Sequence, residues 1–163
     1  RDLARIRDRV AGMRADTTTP DTRLSDDPMK FNPCSVTSMI ELTLGGLHPG
    51  HRGSILFSRL RYFDPVTRRS GLPEDVAALV ERLTENEVTV TLVNTSQTES
   101  HELIVQAGAY AEHQFETIRQ PNQTMPIKAS RITVRLSPGC GQQLVLRMKR
   151  YVNPPTMSHP WSD

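Results

Sequence analysis

The chain has 163 residues, enough for one compact core with a tail to spare, and 36% of them are hydrophobic, which is low for a globular protein without reaching the range of disorder. Lys and Arg number 20 against 18 Asp and Glu, so no strong field exists to draw in nucleic acid or an anionic membrane. No apolar run approaches the ~20 residues that a bilayer-crossing helix needs, and the first residues lack the apolar centre of a signal peptide.

The chain begins at Arg1, and initiator methionine is normally removed only before a small residue, so a piece or processed product of a longer polypeptide is expected. Leu3, Ile6, Val10 and Met13 recur at helical spacing among Arg and Asp, which predicts a short amphipathic helix. The following stretch, rich in Asp, Thr, Pro and Ser, reads as a linker or surface arm.

From residue 36 the period changes to two. Val36, Ile40, Leu42 and Leu44 oppose Thr37, Glu41 and Thr43, predicting a strand over 36–44; "GGLHPGHRG" is a loop, and 54–63 reads as a second strand. In "LPEDVAALVERL", Pro73 fits a first helical turn, Glu74 and Asp75 suit its positive end, and Val76, Leu79, Val80 and Leu83 share a helical face. A short helix is the preferred reading, with a strand through "VAALV" as the alternative, because periodicity alone does not separate them.

Residues 88–93 and 102–107 alternate cleanly on either side of a polar break, and the expectation is an antiparallel hairpin with an open loop. Residues 111–118 form a weaker strand. Residues 131–136 alternate without a fault, "SPGCGQ" turns the chain, and 143–151 returns. The tail, "VNPPTMSHPWSD", has prolines too frequent for regular structure. Seven strand candidates (36–44, 54–63, 88–93, 102–107, 111–118, 131–136 and 143–151) argue for a mainly β, antiparallel, immunoglobulin-like sandwich with an N-terminal helix and one short inserted helix. The expected organisation is a helix and irregular arm over 1–35, the sandwich over 36–152 and a Pro-rich tail over 153–163.

"VTVTLVNTSQTESHELIV" and "SRITVRLSPGCGQQLVLRMKRY", within residues 76–152, resemble the accessory β-sandwich that follows the catalytic barrel in many glycoside hydrolases. That resemblance implies a non-catalytic module whose partner is the rest of a parent polypeptide or a catalytic subunit. It also brings in carbohydrate, and it supplies no catalytic residue and no cofactor.

His48 and His51 in "HPGH" have a spacing that ligates metal if a third ligand such as His113 joins them, although Pro49 and Gly50 explain the segment as a turn. Glu112 with His113, and His101 with Glu102, have the residue types of acid–base pairs, but neighbours on a strand face opposite ways. Cys140 in "SPGCG" lacks a visible activating group, and Cys34 and Cys140 are too few for a disulfide scaffold. Asn94-Thr95-Ser96 and Asn122-Gln123-Thr124 match the glycosylation triplet. Arg59, Arg61, Arg68, Arg69, Arg131, Arg135, Arg147, Lys149 and Arg150 suit an acidic partner if contiguous, solvated strand faces being the plainer account. With so few aromatic residues, Trp161 is the free platform for a sugar, or else the group that docks the tail, and Tyr110, Arg59 and Arg61 complete the candidate binding residues. A small metal-dependent hydrolase using His48, His51 and His113, and a glycan-binding module, stand as alternatives to a contact module.

Overall fold

A computed structural model describes residues 2–19, 37–46, 56–121 and 123–162. The chain divides into two compact units, residues 1–38 and 39–163. In the first, helix α1 (Asp2–Ala15) follows the predicted stripe. Its end is marked by Asp16, whose Oδ1 accepts from the Thr18 backbone N–H at 2.9 Å and from its hydroxyl at 2.6 Å. Leu3 is 77% exposed and Met13 42% exposed, so the stripe lies largely open.

The second unit is mainly β, with two antiparallel sheets. Its strands are β1 (Leu60–Asp64), β2 (Arg69–Ser70), β3 (Val76–Leu83), β4 (Glu87–Asn94), β5 (His101–Ala107), β6 (Gln114–Gln120), β7 (Gln123–Ala129), β8 (Arg131–Leu136) and β9 (Gly141–Lys149). One sheet has the order β2-β1-β5-β8 and the other β3-β4-β9-β6-β7. A single cluster joins them: Leu60, Tyr62, Leu103, Val105, Val134 and Leu136 from the first sheet meet Val88, Val90, Leu92, Phe115, Leu144 and Leu146 from the second. The two sheets therefore face each other across one core, with inward and outward residues alternating along each strand.

Two predicted elements exchange identity. Residues 37–44 form helix α2 (Thr37–Leu44) rather than a strand. Ile40 and Leu44 are four apart, a spacing that puts them on one face in either conformation. Leu42 separates the two: a strand would bury it with them, and it is 52% exposed. Gly45, at φ +63°, ends the helix in the left-handed region, and its N–H donates to Glu41 O at 2.9 Å. The buried Tyr62 hydroxyl donates to Thr43 O at 2.7 Å, fixing the helix end on β1, and burial raises that phenol's pKa.

Conversely, residues 76–83 form β3 rather than a helix. Val76 and Val80 are again four apart and both are buried, while Leu79 and Leu83 are 44% and 46% exposed. Pairing with β4 from Val76–Asn94 to Leu83–Val88, interrupted by a bulge near Glu81, supplies the backbone bonds that a lone helix would have made internally. β7 was not anticipated because Pro126 and its polar neighbours hide the pattern; as the outer strand of its sheet it tolerates a residue without an N–H.

The predicted hairpins are arches. β4 pairs with β3 and β9, whereas β5 pairs with β1 and β8, so the polar segment Thr95–Ser100 crosses from one sheet to the other. The turn after β8 crosses too, since β9 lies between β4 and β6. Asn94 ties both crossings. Only 1% exposed, it donates from Nδ2 to Glu99 O at 2.7 Å, Ser137 O at 3.1 Å and Leu136 O at 3.3 Å, and its Oδ1 accepts from Ser96 N at 3.0 Å. An Nδ2 so engaged is not open to glycosylation in this fold; Asn122 lies outside the described residues.

Replacing Leu92 by Ala is expected to cost about 2–5 kcal/mol in urea unfolding, and Leu79→Ala less than about 1 kcal/mol. Equal costs would restore the helical reading of 76–83. Asn94→Ala should cost about 1–3 kcal/mol by leaving buried carbonyls unpaired, measured in the same assay.

Candidate functional site

The segment between β5 and β6, Gly108–His113, gathers most of the chain's polar chemistry. Gly108 has φ +88°, and a Cβ there would lie 2.4 Å from Glu112 Oε2, so only glycine lets the Glu112 carboxylate fold back over the loop. Glu112 Oε2 accepts the Tyr110 N–H at 2.7 Å. Ala111, at φ +59°, then turns the chain so that Glu112 and His113 lie on one side, with His113 Nε2 at 3.8 Å from Glu112 Oε1. Strict alternation would have separated them; β6 begins only at Gln114, so the rule does not apply at these two residues.

His113 is 2% exposed. Its Nδ1 accepts the Tyr151 N–H at 3.1 Å, which puts the proton of the neutral ring on Nε2, facing Glu112. Burial lowers the imidazole pKa; Glu112 opposes that shift, and Arg150 and Arg59 reinforce it. The Tyr151 ring meets the imidazole edge-on, with centroids 4.7 Å apart.

The same loop binds the chain after β9. Glu112 O accepts from Val152 N at 3.0 Å, Tyr110 O accepts from Thr156 N at 2.8 Å, and Asn153 Nδ2 donates to Ala111 O and His113 O. Beyond this anchor the tail runs over the outer face of the four-stranded sheet. There Arg61, Gln106 and Arg131 are in register across β1, β5 and β8. Gln106 is 1% exposed; its Oε1 accepts from Arg131 Nε at 2.9 Å and its Nε2 donates to Gly108 O and Ala109 O. Arg61 donates to Ala109 O at 3.0 Å and Arg131 to Ser158 O at 2.8 Å. Next to this row, Phe63 is met edge-on by His159 and Trp161, whose rings stack with centroids 5.1 Å apart.

The predicted binding residues fall into two groups. Trp161 and Arg61 both contact Phe63, Arg61 as a cation 5.0 Å over its ring, and Trp161 is half-buried as the group that docks the tail. Tyr110 lies in the anchor loop, its hydroxyl accepting from Leu56 N at 3.3 Å. Arg59 adjoins the same loop, its carbonyl accepting the Gly108 N–H at 2.8 Å, while its side chain donates to Glu85 O at 2.7 Å on the side of Arg150 and Tyr151. His48, His51 and Cys34 lie outside the described residues. Among the described residues no cluster of three or more His, Cys, Asp or Glu side chains has a geometry to hold a metal ion. Cys140 is an exposed free thiol whose carbonyl accepts the Asn94 N–H, within a turn that Gly139 makes at φ +63°. The basic residues do not form one stripe: Arg61 and Arg131 face outward from one sheet and Arg147 and Lys149 from the other.

Gln106, Asn153 and Tyr151 were missed. A lone Gln inside the apolar run "LIVQAGAY" is the one signal that pointed to Gln106, since a strand position facing water needs no such neighbour sequence. No family model, curated protein or solved structure matches the chain.

A histidine whose folded pKa lies below its unfolded value binds more protons when unfolded, so it lowers stability as pH falls through about 6.5. Urea unfolding from pH 7.5 to 5 should therefore show stability declining below that point. His113→Asn, whose Oδ1 still accepts from Tyr151 N, should flatten the decline; an unchanged slope would assign it to other groups.

Proposed function

We propose that this chain is a non-catalytic, immunoglobulin-like β-sandwich module that acts by contact with a larger polypeptide. The resemblance in its strands points to a carbohydrate-active enzyme of the glycoside hydrolase kind as that parent or partner. One observation carries the reading. The acid–base pair Glu112–His113 has one polar atom of each side chain committed to a chain tie, Oε2 to Tyr110 N and Nδ1 to Tyr151 N, and it stands at the root of the docked tail.

General acid–base catalysis needs a proton-transfer atom within hydrogen-bond reach of a substrate. His113 Nε2 faces Glu112 Oε1 at 3.8 Å, and both side chains are largely buried, at 3% and 13% exposure. What the unit exposes is contact surface: Phe57 at 53%, Leu79 at 44% and Tyr151 at 58%.

The full chain, incubated with chromogenic glycosides, esters and phosphates, is expected to give no turnover above the blank. Turnover that vanishes in a folded His113→Asn variant would reject the reading. Reciprocal tagging in the native source should recover the chain with a larger polypeptide in constant stoichiometry.

A further inference from the structure

Where β9 ends, the chain places two arginines and a tyrosine together, with Glu85 as the nearby acid. Arg150 lies with its guanidinium carbon 5.0 Å over the Tyr151 ring, and its NH2 donates to the Tyr151 hydroxyl at 3.1 Å. Its Nε is shielded from water and has no hydrogen-bond partner. Arg59, close enough for the Arg150 charge to lower its pKa after burial has done so, donates to Glu85 O. Each guanidinium carries five N–H donors, and among the described residues neither has a carboxylate within 4.0 Å. Tyr151 sits at φ +53°, a backbone conformation that side chains of its kind rarely adopt, and the residue is 58% exposed.

Beside them runs an open groove of about 460 Å³, lined by Glu85, Asn86, Glu116, Arg147, Lys149 and Tyr151. Arg147 is already paired with Glu116 at 3.4 Å. Arg59, Arg150 and Lys149 therefore remain against Glu85. That balance, three positive charges against one negative, leaves a net charge of about +2 that draws in an anion. A planar guanidinium fork matches a carboxylate as it does a phosphate, and an exposed Tyr beside Arg, residue types enriched at the hot spots of protein contacts, favours a carboxylate carried by a protein.

We propose that Arg59, Arg150 and Tyr151 form the contact point of this module, and that they take an Asp or Glu carboxylate from the surface of a protein partner. The inference rests on the reading of the chain as a contact module and names where the contact is made.

The test is a titration of the ¹⁵N-labelled full chain, following the arginine Nε–H signals, with a blocked hexaglutamate peptide. Glutarate, inorganic phosphate, a hexalysine peptide and sodium chloride at matched ionic strength serve as comparisons. Saturable shifts at Arg59 and Arg150 with hexaglutamate are expected, weakened at least about tenfold in Arg150→Met and partly regained in Arg150→Lys. Tyr151→Ala, which leaves both arginines in place, should weaken binding to a smaller degree. Shifts confined to Arg131 or Arg135, or equal in parent and Arg150→Met, would overturn the proposal. Tighter binding of phosphate, or of glutarate per carboxylate, would overturn the assignment to a protein partner. A chain that binds hexaglutamate in this way and also turns over a chromogenic substrate would refute the non-catalytic reading while leaving the site in place.

Discussion

Asn94 is the residue on which the two-layer arrangement closes. It stands where β4 leaves one sheet, and its side chain reaches carbonyls on the segment before β5 and at the end of β8. Two of the crossings between the sheets, β4 to β5 and β8 to β9, run past it, so one amide reaches three backbone acceptors at the edge of the core. A buried carbonyl without a donor is costly, and a short polar side chain with two N–H groups is the smallest device that serves several at once. The apolar core supplies the drive to bring the sheets face to face; Asn94 decides that they are joined by arches here rather than by hairpins.

A similar logic operates at the other end of the strands. Gln106 faces outward from β5, where a polar residue would ordinarily meet water, yet it is buried because the tail covers it. Its amide is then fully used by Arg131, Gly108 and Ala109. The tail also converts Phe63 from an outward aromatic into a buried one, 1% exposed beneath His159 and Trp161. The outer face of the four-stranded sheet is thus covered by its own chain around Gln106 and Phe63. The outer face of the five-stranded sheet is held by a surface network instead, in which Glu81 accepts from the Thr91 hydroxyl and from Gln143 Nε2 at 2.9 Å.

Charge follows the same division. Around Gln106 the arginines donate to oxygens of the chain itself, Arg61 to Ala109 O and Arg131 to Gln106 Oε1 and Ser158 O. In the β1–β2 turn, burial works to raise the Asp64 carboxyl pKa, and bonds from Thr67 and Val66, with Arg69 nearby, bring it below the usual value. Near Tyr151, Arg59 donates to Glu85 O and Arg150 to the Tyr151 hydroxyl, and among the described residues no carboxylate lies within 4.0 Å of either guanidinium.

Much of the β architecture was readable from the chain alone. "RITVRL" and "QLVLRMK" alternate so strictly that one face had to be apolar, and the tail's prolines excluded regular structure. The candidate site was legible only as residue types, because the meeting of Glu112 with His113 depends on the left-handed turn at Ala111. Sequence by itself determined which faces of the strands are apolar, and hence a two-sided β fold, since a period of two specifies a face. It did not determine partners: a period of two leaves open which strand lies alongside, and spacing by four at Ile40–Leu44 and Val76–Val80 satisfies helix and strand alike. Those choices were made by tertiary structure, because the backbone bonds and the burial that settle them come from residues distant in the chain: β4 beside β3, β1 beneath α2, and the tail over Gln106.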